Sequence, residues 1–275
     1  MSAHQHPHVV DTVVAGYPAL HAVPPTGTAA PPIVFLHGAF TDQHSFGPWL
    51  PRFAAAGFAC LAPARRGRQG VAPTGARGVR IADYVADTEA VLDELGASAV
   101  LVGHSVGALV AQVVAARRPV RALVLLAPAP PWALAAQPRS LRWLAGHLPA
   151  IASGRPFVLS ERACAHLALG AVPSVLHRDV FEHLTAESGR VFAELIRGRI
   201  RVDPARVQAP VFVAGGDADR IVSTADVDRV AAHYRTHPHR YGDAGHWLLS
   251  GPVATQLAAD VLDWLRAVTT LTIRQ

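Results

Sequence analysis

Short apolar runs alternate with longer amphipathic stretches along the first half of the chain. Four such runs carry almost no charge and lie at residues 33–36, 58–62, 100–102 and 120–126. Their length and their content of Val, Leu, Ile and Phe predict strands that are covered on both faces of a sheet. Between the second and third runs, residues 79–95 place their apolar side chains on one side of a helix, which Gly96 is expected to end.

Further β-prone runs bring the number of predicted strands to about eight. They lie at residues 9–15, 20–23, 211–214 and 239–241. The first two predict a hairpin at the edge of the sheet. Further helices are predicted at residues 42–56, with Asp42 or Ser45 as the N-cap, and at 224–234 and 253–268. This alternation predicts an α/β fold with a mostly parallel, doubly wound sheet and helices on both faces.

The alternation stops at residues 128–204, which are mostly helical by composition and contain no convincing strand. An insertion of this size after the sixth strand predicts a helical cap over the edge of the sheet. Its position supports this interpretation, because ligands bind outside the carboxyl ends of such strands. We therefore expect residues 1–127 and 205–275 to form the core and residues 128–204 to form the cap.

A candidate nucleophile stands between the third apolar run and the helix that follows it. Residues 103–107 read Gly-His-Ser-Val-Gly, which is a sharp strand-to-helix turn that lifts the hydroxyl of Ser105 clear of the backbone. The uncharged stretch at residues 97–116 could instead suggest a membrane span. Two glycines, a histidine, a serine and a glutamine lie near its middle, and a change of period from strand to helix explains it better.

Composition excludes several classes of function. The chain has 275 residues, of which 51% are hydrophobic and 16% charged, so it is expected to be globular with a sizeable core. The net charge of +5 comes from scattered arginines without any lysine, which speaks against nucleic-acid binding. Cys60 and Cys164 form no metal or redox spacing, and we expect no metal and no cofactor. Without a visible secretory signal, a cytoplasmic location is the expectation.

The N-terminal segment carries alternating histidines, His4, His6 and His8, that could contact a metal. A frayed tail is the better interpretation of so polar a terminus.

A serine nucleophile needs a base, and the base needs an acid that holds its tautomer. Both follow predicted strands in the second half of the chain. Residues 215–222 supply Asp217 and Asp219, and residues 242–247 supply Asp243 and His246. In this type of sheet the chain order is serine, acid, histidine.

Four segments together make the chain resemble the α/β-hydrolase superfamily, in the branch with a helical lid. They are His37-Gly38, residues 103–107, residues 216–220 and residues 245–247, in the family's order and spacing. The resemblance implies that Ser105 is the nucleophile, His246 the general base and acid, and Asp219 the orienting carboxylate. Asp217 is the second candidate for the acid, and Asp243 the third, as a residue more typical of a turn.

The resemblance also implies an oxyanion hole made of backbone N–H groups. Val106 supplies one, and Ala39 the other, with Phe40 as second choice. The substrate pocket is predicted to include five side chains, namely Phe40, His104, Trp132, Trp143 and Trp247. The aromatic cap predicts a small-molecule substrate with an apolar acyl or alcohol group. No nucleic-acid partner is expected, and no pattern in the sequence indicates an oligomeric state.

The expected reaction is hydrolysis of an ester, lactone or thioester through an acyl-Ser105 intermediate. A serine at the strand-to-helix turn disfavours dehalogenation and epoxide opening, because members of this superfamily that catalyse those reactions have an aspartate at that position. The same triad also serves cofactor-free perhydrolases and carbon–carbon bond hydrolases. A non-hydrolytic cyclase or binding protein is the third alternative, from fold-level analogy alone.

Overall fold

A single eight-stranded sheet forms the centre of the computed structural model, which describes residues 7–25, 30–68, 73–135 and 137–272. Its strands are β1 (Val9–Val14), β2 (Tyr17–Ala22), β3 (Ile33–Leu36), β4 (Cys60–Pro63), β5 (Val100–His104), β6 (Ala122–Leu126), β9 (Val211–Gly216) and β10 (Pro238–Tyr241). Their spatial order is β1-β2-β4-β3-β5-β6-β9-β10. Strands β1 and β2 form the predicted antiparallel hairpin, β2 pairs antiparallel with β4, and the other pairs are parallel. The predicted fold class is confirmed.

Helices connect the strands. They are α1 (Leu50–Ala55), α2 (Ile81–Leu95), α3 (Val106–Ala115), α4 (Pro138–Leu144), α5 (Leu148–Ser153), α6 (Glu161–Leu167), α7 (His177–Phe181), α8 (Gly189–Arg197), α9 (Thr224–His233) and α10 (Pro252–Thr272). Short 3-10 helices lie at Gln43–Phe46, Pro73–Ala76, Ala145–His147, Ser174–Leu176 and Pro204–Arg206. Gly96 ends α2 in the left-handed conformation, with φ of 60°. No helix in the described part of the chain combines the length and the apolar character needed to cross a membrane.

The sheet is buried on both faces because successive side chains point to opposite sides. In β5, Val100 and Val102 pack in the layer that contains α1 and α10. Leu101 packs in the opposite layer, with α2, α3 and α9. All five residues of β5 are buried, which explains why its sequence is apolar without alternation.

The helix predicted at residues 42–56 is divided in two. Residues 42–56 form the 3-10 helix Gln43–Phe46, which the Asp42 carboxylate caps by accepting from the N–H of His44, and the helix α1. Prolines explain the division, because Pro48 and Pro51 carry no N–H to donate to a continuous helix.

Residues 128–204, here called the cap segment, contain the helices α4 to α8, and they also contain strands that the prediction missed. Pro156–Phe157 (β7) pairs antiparallel with Glu187–Ser188 (β8). Two-residue strands carry too few side chains to show a period of two, which explains why the sequence pattern did not reveal them.

The cap segment is bound to the core by buried polar contacts. The Arg68 guanidinium pairs with the Glu187 carboxylate, and both side chains are fully buried. Tyr84 Oη donates to Glu187 Oε1 at 2.6 Å, and Ser188 Oγ donates to the Val79 carbonyl at 2.6 Å. These bonds hold β8 against α2 and the loop after β4.

Candidate active site

Ser105 stands at the tip of the turn between β5 and α3. Its φ of 54° and ψ of −118° are strained for a residue with a Cβ. The flanking glycines allow the close approach that this turn requires. A Cβ on Gly107 would lie 2.1 Å from the Leu36 carbonyl oxygen, and one on Gly103 would lie 2.5 Å from the Cα of Ala108. The strand and helix can therefore meet only if both positions are glycine.

The fold brings Ser105, His246 and Asp219 together, although they lie on three distant segments. His246 Nε2 lies 3.0 Å from Ser105 Oγ. His246 Nδ1 lies 2.8 Å from Asp219 Oδ2. All three residues are buried, with exposures between 5% and 7%. A continuous hydrogen-bonded path thus joins a hydroxyl, an imidazole and a carboxylate, which is the arrangement that activates a serine nucleophile.

Asp219 is held in place by backbone donors. Its Oδ1 accepts from the N–H groups of Ile221 at 2.7 Å and Val222 at 3.0 Å. The alternatives lie elsewhere. Asp217 pairs with Arg240 at 2.6 Å on the surface, and Asp243 is exposed in the turn after β10.

Two residues beside Ser105 carry the backbone N–H groups that the sequence suggested for an oxyanion hole. Ala39, in the loop after β3, and Val106, at the start of α3, both line the cavity that contains Ser105. Among the described residues, neither N–H has a hydrogen-bond acceptor. For Val106 this follows from its place in the first turn of a helix, where N–H groups have no intrahelical partner.

The loop after β3 is fixed from both sides. Arg65 Nη2 donates to the Gly38 carbonyl at 2.8 Å. From the cap segment, the N–H of Thr185 donates to the Phe40 carbonyl at 2.8 Å. Phe40 has a φ of 61°, so its backbone is held in a conformation that a side chain disfavours. These bonds orient the peptide that carries the N–H of Ala39.

His104 supports the backbone of His246. Its Nε2 lies 2.9 Å from the His246 carbonyl oxygen. Burial, followed by the nearby His246 ring, lowers the pKa of His104 to about 3, so the ring is neutral at physiological pH. A neutral ring can donate to a carbonyl oxygen only if the nitrogen nearest that oxygen carries the proton. The proton is therefore on Nε2, and Nε2–H donates to the His246 carbonyl and orients the His246 backbone.

The cavity above Ser105 has a volume of about 120 Å³ and an overwhelmingly apolar lining. Phe40, His104 and Trp247 line it, as the sequence led us to expect. The cap segment contributes much of the remaining wall, including Leu144, Leu159, Cys164, Leu167 and Phe192. Burial raises the pKa of Cys164 to about 11, so this thiol stays protonated at neutral pH.

A family model described as the alpha/beta hydrolase family matches residues 33–259. The chain belongs to the alpha/beta hydrolase family.

Solved structures show the same fold. A monoacylglycerol lipase from Paleococcus ferrophilus has a TM-score of 0.71 at 20% identity, and 96% of this chain and 100% of the lipase are covered. The 2-hydroxy-6-oxo-6-phenylhexa-2,4-dienoate hydrolase from Rhodococcus sp. strain RHA1 has a TM-score of 0.69 at 17% identity, with 94% and 99% covered. At these identities the likeness concerns the fold and not the reaction.

A relative with higher local identity covers less of the chain. A protein of Mycobacterium phage D29 that carries the name of a non-heme haloperoxidase is 40% identical over 105 residues. The match spans 36% of this chain and 36% of the phage protein.

Two tryptophans of this alpha/beta hydrolase lie outside the cavity, although the sequence placed them in the pocket. Trp132 Nε1 donates to Asp226 at 3.2 Å, and its ring stacks under the Arg229 guanidinium at 4.1 Å. Trp143 packs against the His166 ring at 5.1 Å. Neither is among the described residues that line the cavity. Composition indicated that these rings would be buried, but not which surface they would cover.

The leucines of the cap segment and Cys164 were missed as pocket residues. No sequence signal distinguishes them from core residues, since an apolar side chain is required in both places. A wider groove of about 650 Å³, lined by Glu89 and Arg118 among others, lies near the amino end of β5. Ser105 follows the opposite, carboxyl end of β5, and none of the predicted catalytic groups lines this groove.

Proposed function

We propose that this protein is a serine hydrolase that cleaves a carboxylic ester, lactone or thioester of a small apolar molecule. One observation carries the proposal, namely the path from Ser105 Oγ through His246 to Asp219, with distances of 3.0 Å and 2.8 Å. Membership of a hydrolase family supports it.

The first half-reaction forms the acyl enzyme. Ser105 Oγ attacks the substrate carbonyl carbon, and His246 Nε2 accepts the hydroxyl proton. The Asp219 carboxylate stabilises the imidazolium that results. The N–H groups of Ala39 and Val106 donate to the oxyanion of the tetrahedral intermediate, and such a donor typically lowers the barrier by about 3 kcal/mol. His246 then gives its proton to the leaving alcohol or thiol.

The second half-reaction regenerates the serine. Water enters the place of the leaving group, and His246 Nε2 removes one of its protons. The hydroxide attacks the acyl carbon, the bond to Ser105 breaks, and His246 returns the proton to Ser105 Oγ. The products are a carboxylic acid and the free enzyme.

The cavity supports a substrate of limited size and low polarity. Its volume of about 120 Å³ is well below the roughly 300–1,000 Å³ of pockets that bind drug-sized ligands. Its wall is mostly aliphatic and aromatic. We therefore expect short acyl chains to be hydrolysed faster than long ones.

The test compares p-nitrophenyl esters of increasing acyl length, together with lactones and thioesters, on wild-type protein and Ser105→Ala. Loss of the nucleophile is expected to reduce kcat by on the order of 10⁴-fold or more. Ser98→Ala, which changes a serine outside the cavity, is the matched control and retains full activity. A fluorophosphonate probe is expected to label wild-type protein and Ser98→Ala but not Ser105→Ala. Wild-type protein that resists the probe and hydrolyses no substrate would favour a non-hydrolytic cyclase or binding protein.

Perhydrolysis is the second candidate, favoured by the 40% identity to the phage protein named as a non-heme haloperoxidase. Here hydrogen peroxide replaces water on the acyl-Ser105, so that a peracid leaves and then oxidises a halide to hypohalous acid. The assay measures bromination of an indicator with hydrogen peroxide and bromide in acetate buffer. Activity that needs both acetate and Ser105 supports perhydrolysis, whereas hydrolysis of esters without any bromination excludes it.

A further inference from the structure

A cluster of one carboxylate and two imidazoles joins the core to the cap segment near the catalytic cavity. Asp42 and His44 follow the loop after β3 that carries Ala39, and His183 follows α7 in the cap segment. We name these three residues the Asp42 cluster. Nothing in the proposed reaction uses any of them.

The three side chains converge on Asp42. His44 Nδ1 lies 3.1 Å from Asp42 Oδ1, and His183 Nδ1 lies 3.3 Å from Asp42 Oδ2. The two imidazole rings stack with centroids 4.2 Å apart and planes at 16°, so that both present Nδ1 to the same carboxylate. All three donor atoms lie within 4.8 Å of one another.

Two of these separations, 3.1 Å and 3.3 Å, are close to those between the ligands of a metal ion. In a tetrahedral zinc site with bonds of about 2.0 Å, neighbouring donor atoms are about 3.3 Å apart. Each neutral imidazole can carry its proton on Nε2, which frees the lone pair on Nδ1 for coordination. Side-chain exposures of 36% for His44 and 37% for His183 leave the cluster open to an ion from solvent.

A small cavity beside the cluster adds an independent observation. Its volume is about 60 Å³, and it is lined by His44 and His183 together with the hydroxyl-bearing residues Thr41 and Ser45. Thr41 is 4% exposed and Ser45 8% exposed. In the described part of the chain, neither hydroxyl has a hydrogen-bond partner. Buried polar groups normally have one, and a cavity of this size holds one or two water molecules.

We propose that the Asp42 cluster binds a divalent transition-metal ion such as Zn²⁺. His44 Nδ1, His183 Nδ1 and one Asp42 oxygen supply three ligands, a combination of imidazole and carboxylate that suits these ions. A water molecule in the small cavity completes the coordination and accepts or donates hydrogen bonds at Thr41 and Ser45.

Such an ion fastens the cap segment to the segment after β3 that carries Ala39. Two ligands come from that segment and one from the cap segment, beside the bond from the N–H of Thr185 to the Phe40 carbonyl. Thr41 and Trp247 line both the small cavity and the catalytic cavity. Metal binding therefore strengthens the contact between the cap segment and the segment after β3 without entering the chemistry at Ser105.

Zinc binding tests the proposal without any reference to activity. Because His4, His6 and His8 offer a second place for zinc, the measurements use protein in which all three are replaced by alanine. Isothermal titration with Zn²⁺ is expected to give one ion per chain. Loss of an outer-shell partner alone weakens metal binding by about 10–100-fold, so His183→Ala is expected to weaken it by at least about 100-fold. His237→Ala, which changes an exposed histidine before β10, is the matched control and binds zinc normally.

A second readout separates ligation from misfolding. In EDTA, His183→Ala and Asp42→Asn are expected to unfold at temperatures close to that of the parent protein. Excess Zn²⁺ raises the unfolding temperature of the parent and of His237→Ala, since a ligand that binds only the folded state stabilises it. The same excess raises the unfolding temperature of both cluster variants much less than that of the parent. The proposal is overturned if zinc does not bind, or if it binds His183→Ala as tightly as the control.

Discussion

The substitution Asp219→Asn changes the charge of the proposed triad acid while keeping its size. Asp219 uses both carboxylate oxygens, Oδ2 toward His246 Nδ1 at 2.8 Å and Oδ1 toward the N–H groups of Ile221 and Val222 at 2.7 Å and 3.0 Å. Two donors therefore fix the carbonyl oxygen of the new side chain at the Oδ1 position. In the opposite orientation, the NH₂ group of the new side chain would face the two backbone N–H donors, and each unsatisfied group would cost about 1–3 kcal/mol.

The side-chain NH₂ group that this substitution introduces then points at His246 and acts as a donor. Nδ1 of His246 must accept, so the proton of the neutral ring moves to Nε2, which faces Ser105 Oγ at 3.0 Å. A protonated Nε2 cannot remove the hydroxyl proton. In the serine-protease triad the same change lowers kcat by about 10⁴. At about 1.36 kcal/mol for each factor of ten, this corresponds to a barrier raised by about 5.4 kcal/mol.

The assay is the initial rate of hydrolysis of the best ester substrate by wild-type protein, Asp219→Asn and Asp217→Asn. Asp217→Asn is the matched control, since Asp217 carries a partly exposed ion pair with Arg240 and stands two residues away. Such pairs contribute little, so its rate is expected to equal that of wild type. Asp219→Asn with more than about a tenth of the wild-type kcat, or Asp217→Asn with an equally large loss, would refute the assignment.

Three further predictions concern stability and reactivity. Glu187→Gln leaves the Arg68 guanidinium buried without its counter-charge, and chemical denaturation is expected to show a free energy of unfolding lower by about 3–5 kcal/mol. Glu182→Gln, which changes an exposed ion pair, is the control and leaves the free energy of unfolding unchanged. His104 takes up its proton mainly in the unfolded state, because its pKa is about 3 when folded. Stability is therefore expected to fall as the pH drops below about 6.5, by about 1.4 kcal/mol per pH unit from this group, and His104→Asn removes that contribution. Iodoacetamide at a pH of about 8 is expected to modify Cys164 only after unfolding, because burial keeps its thiol protonated; modification of the native protein would contradict this.

Local sequence was sufficient for the elements of the sheet. The apolar runs, the Gly-His-Ser-Val-Gly turn and Gly96 each have a physical cause within a few residues, and the structure contains the corresponding strands, turn and helix end. Short-range patterns failed where long-range pairing decides, as in β7 and β8, which consist of two residues each and exist because distant parts of the cap segment meet.

The same distinction between local sequence and long-range packing applies to the candidate site. Chain order supplied Ser105, His246 and three candidate aspartates, because the loops that follow parallel strands meet at one edge of a sheet. Only the resemblance to the α/β-hydrolase superfamily favoured Asp219 over Asp217. Tertiary structure placed Asp219 against His246 and Asp217 against Arg240.

Hydrophobic patterning and strand-end chemistry therefore determined the fold class and the identity of the candidate nucleophile, because both depend on residues near one another in the chain. Only the tertiary structure decided the shape of the cavity and the neighbours of the cap segment's side chains. It placed Trp143 against His166 and brought His183 to Asp42, across 141 residues of chain. The apolar character of a residue predicts that it is buried, but the surface against which it is buried depends on how distant segments pack.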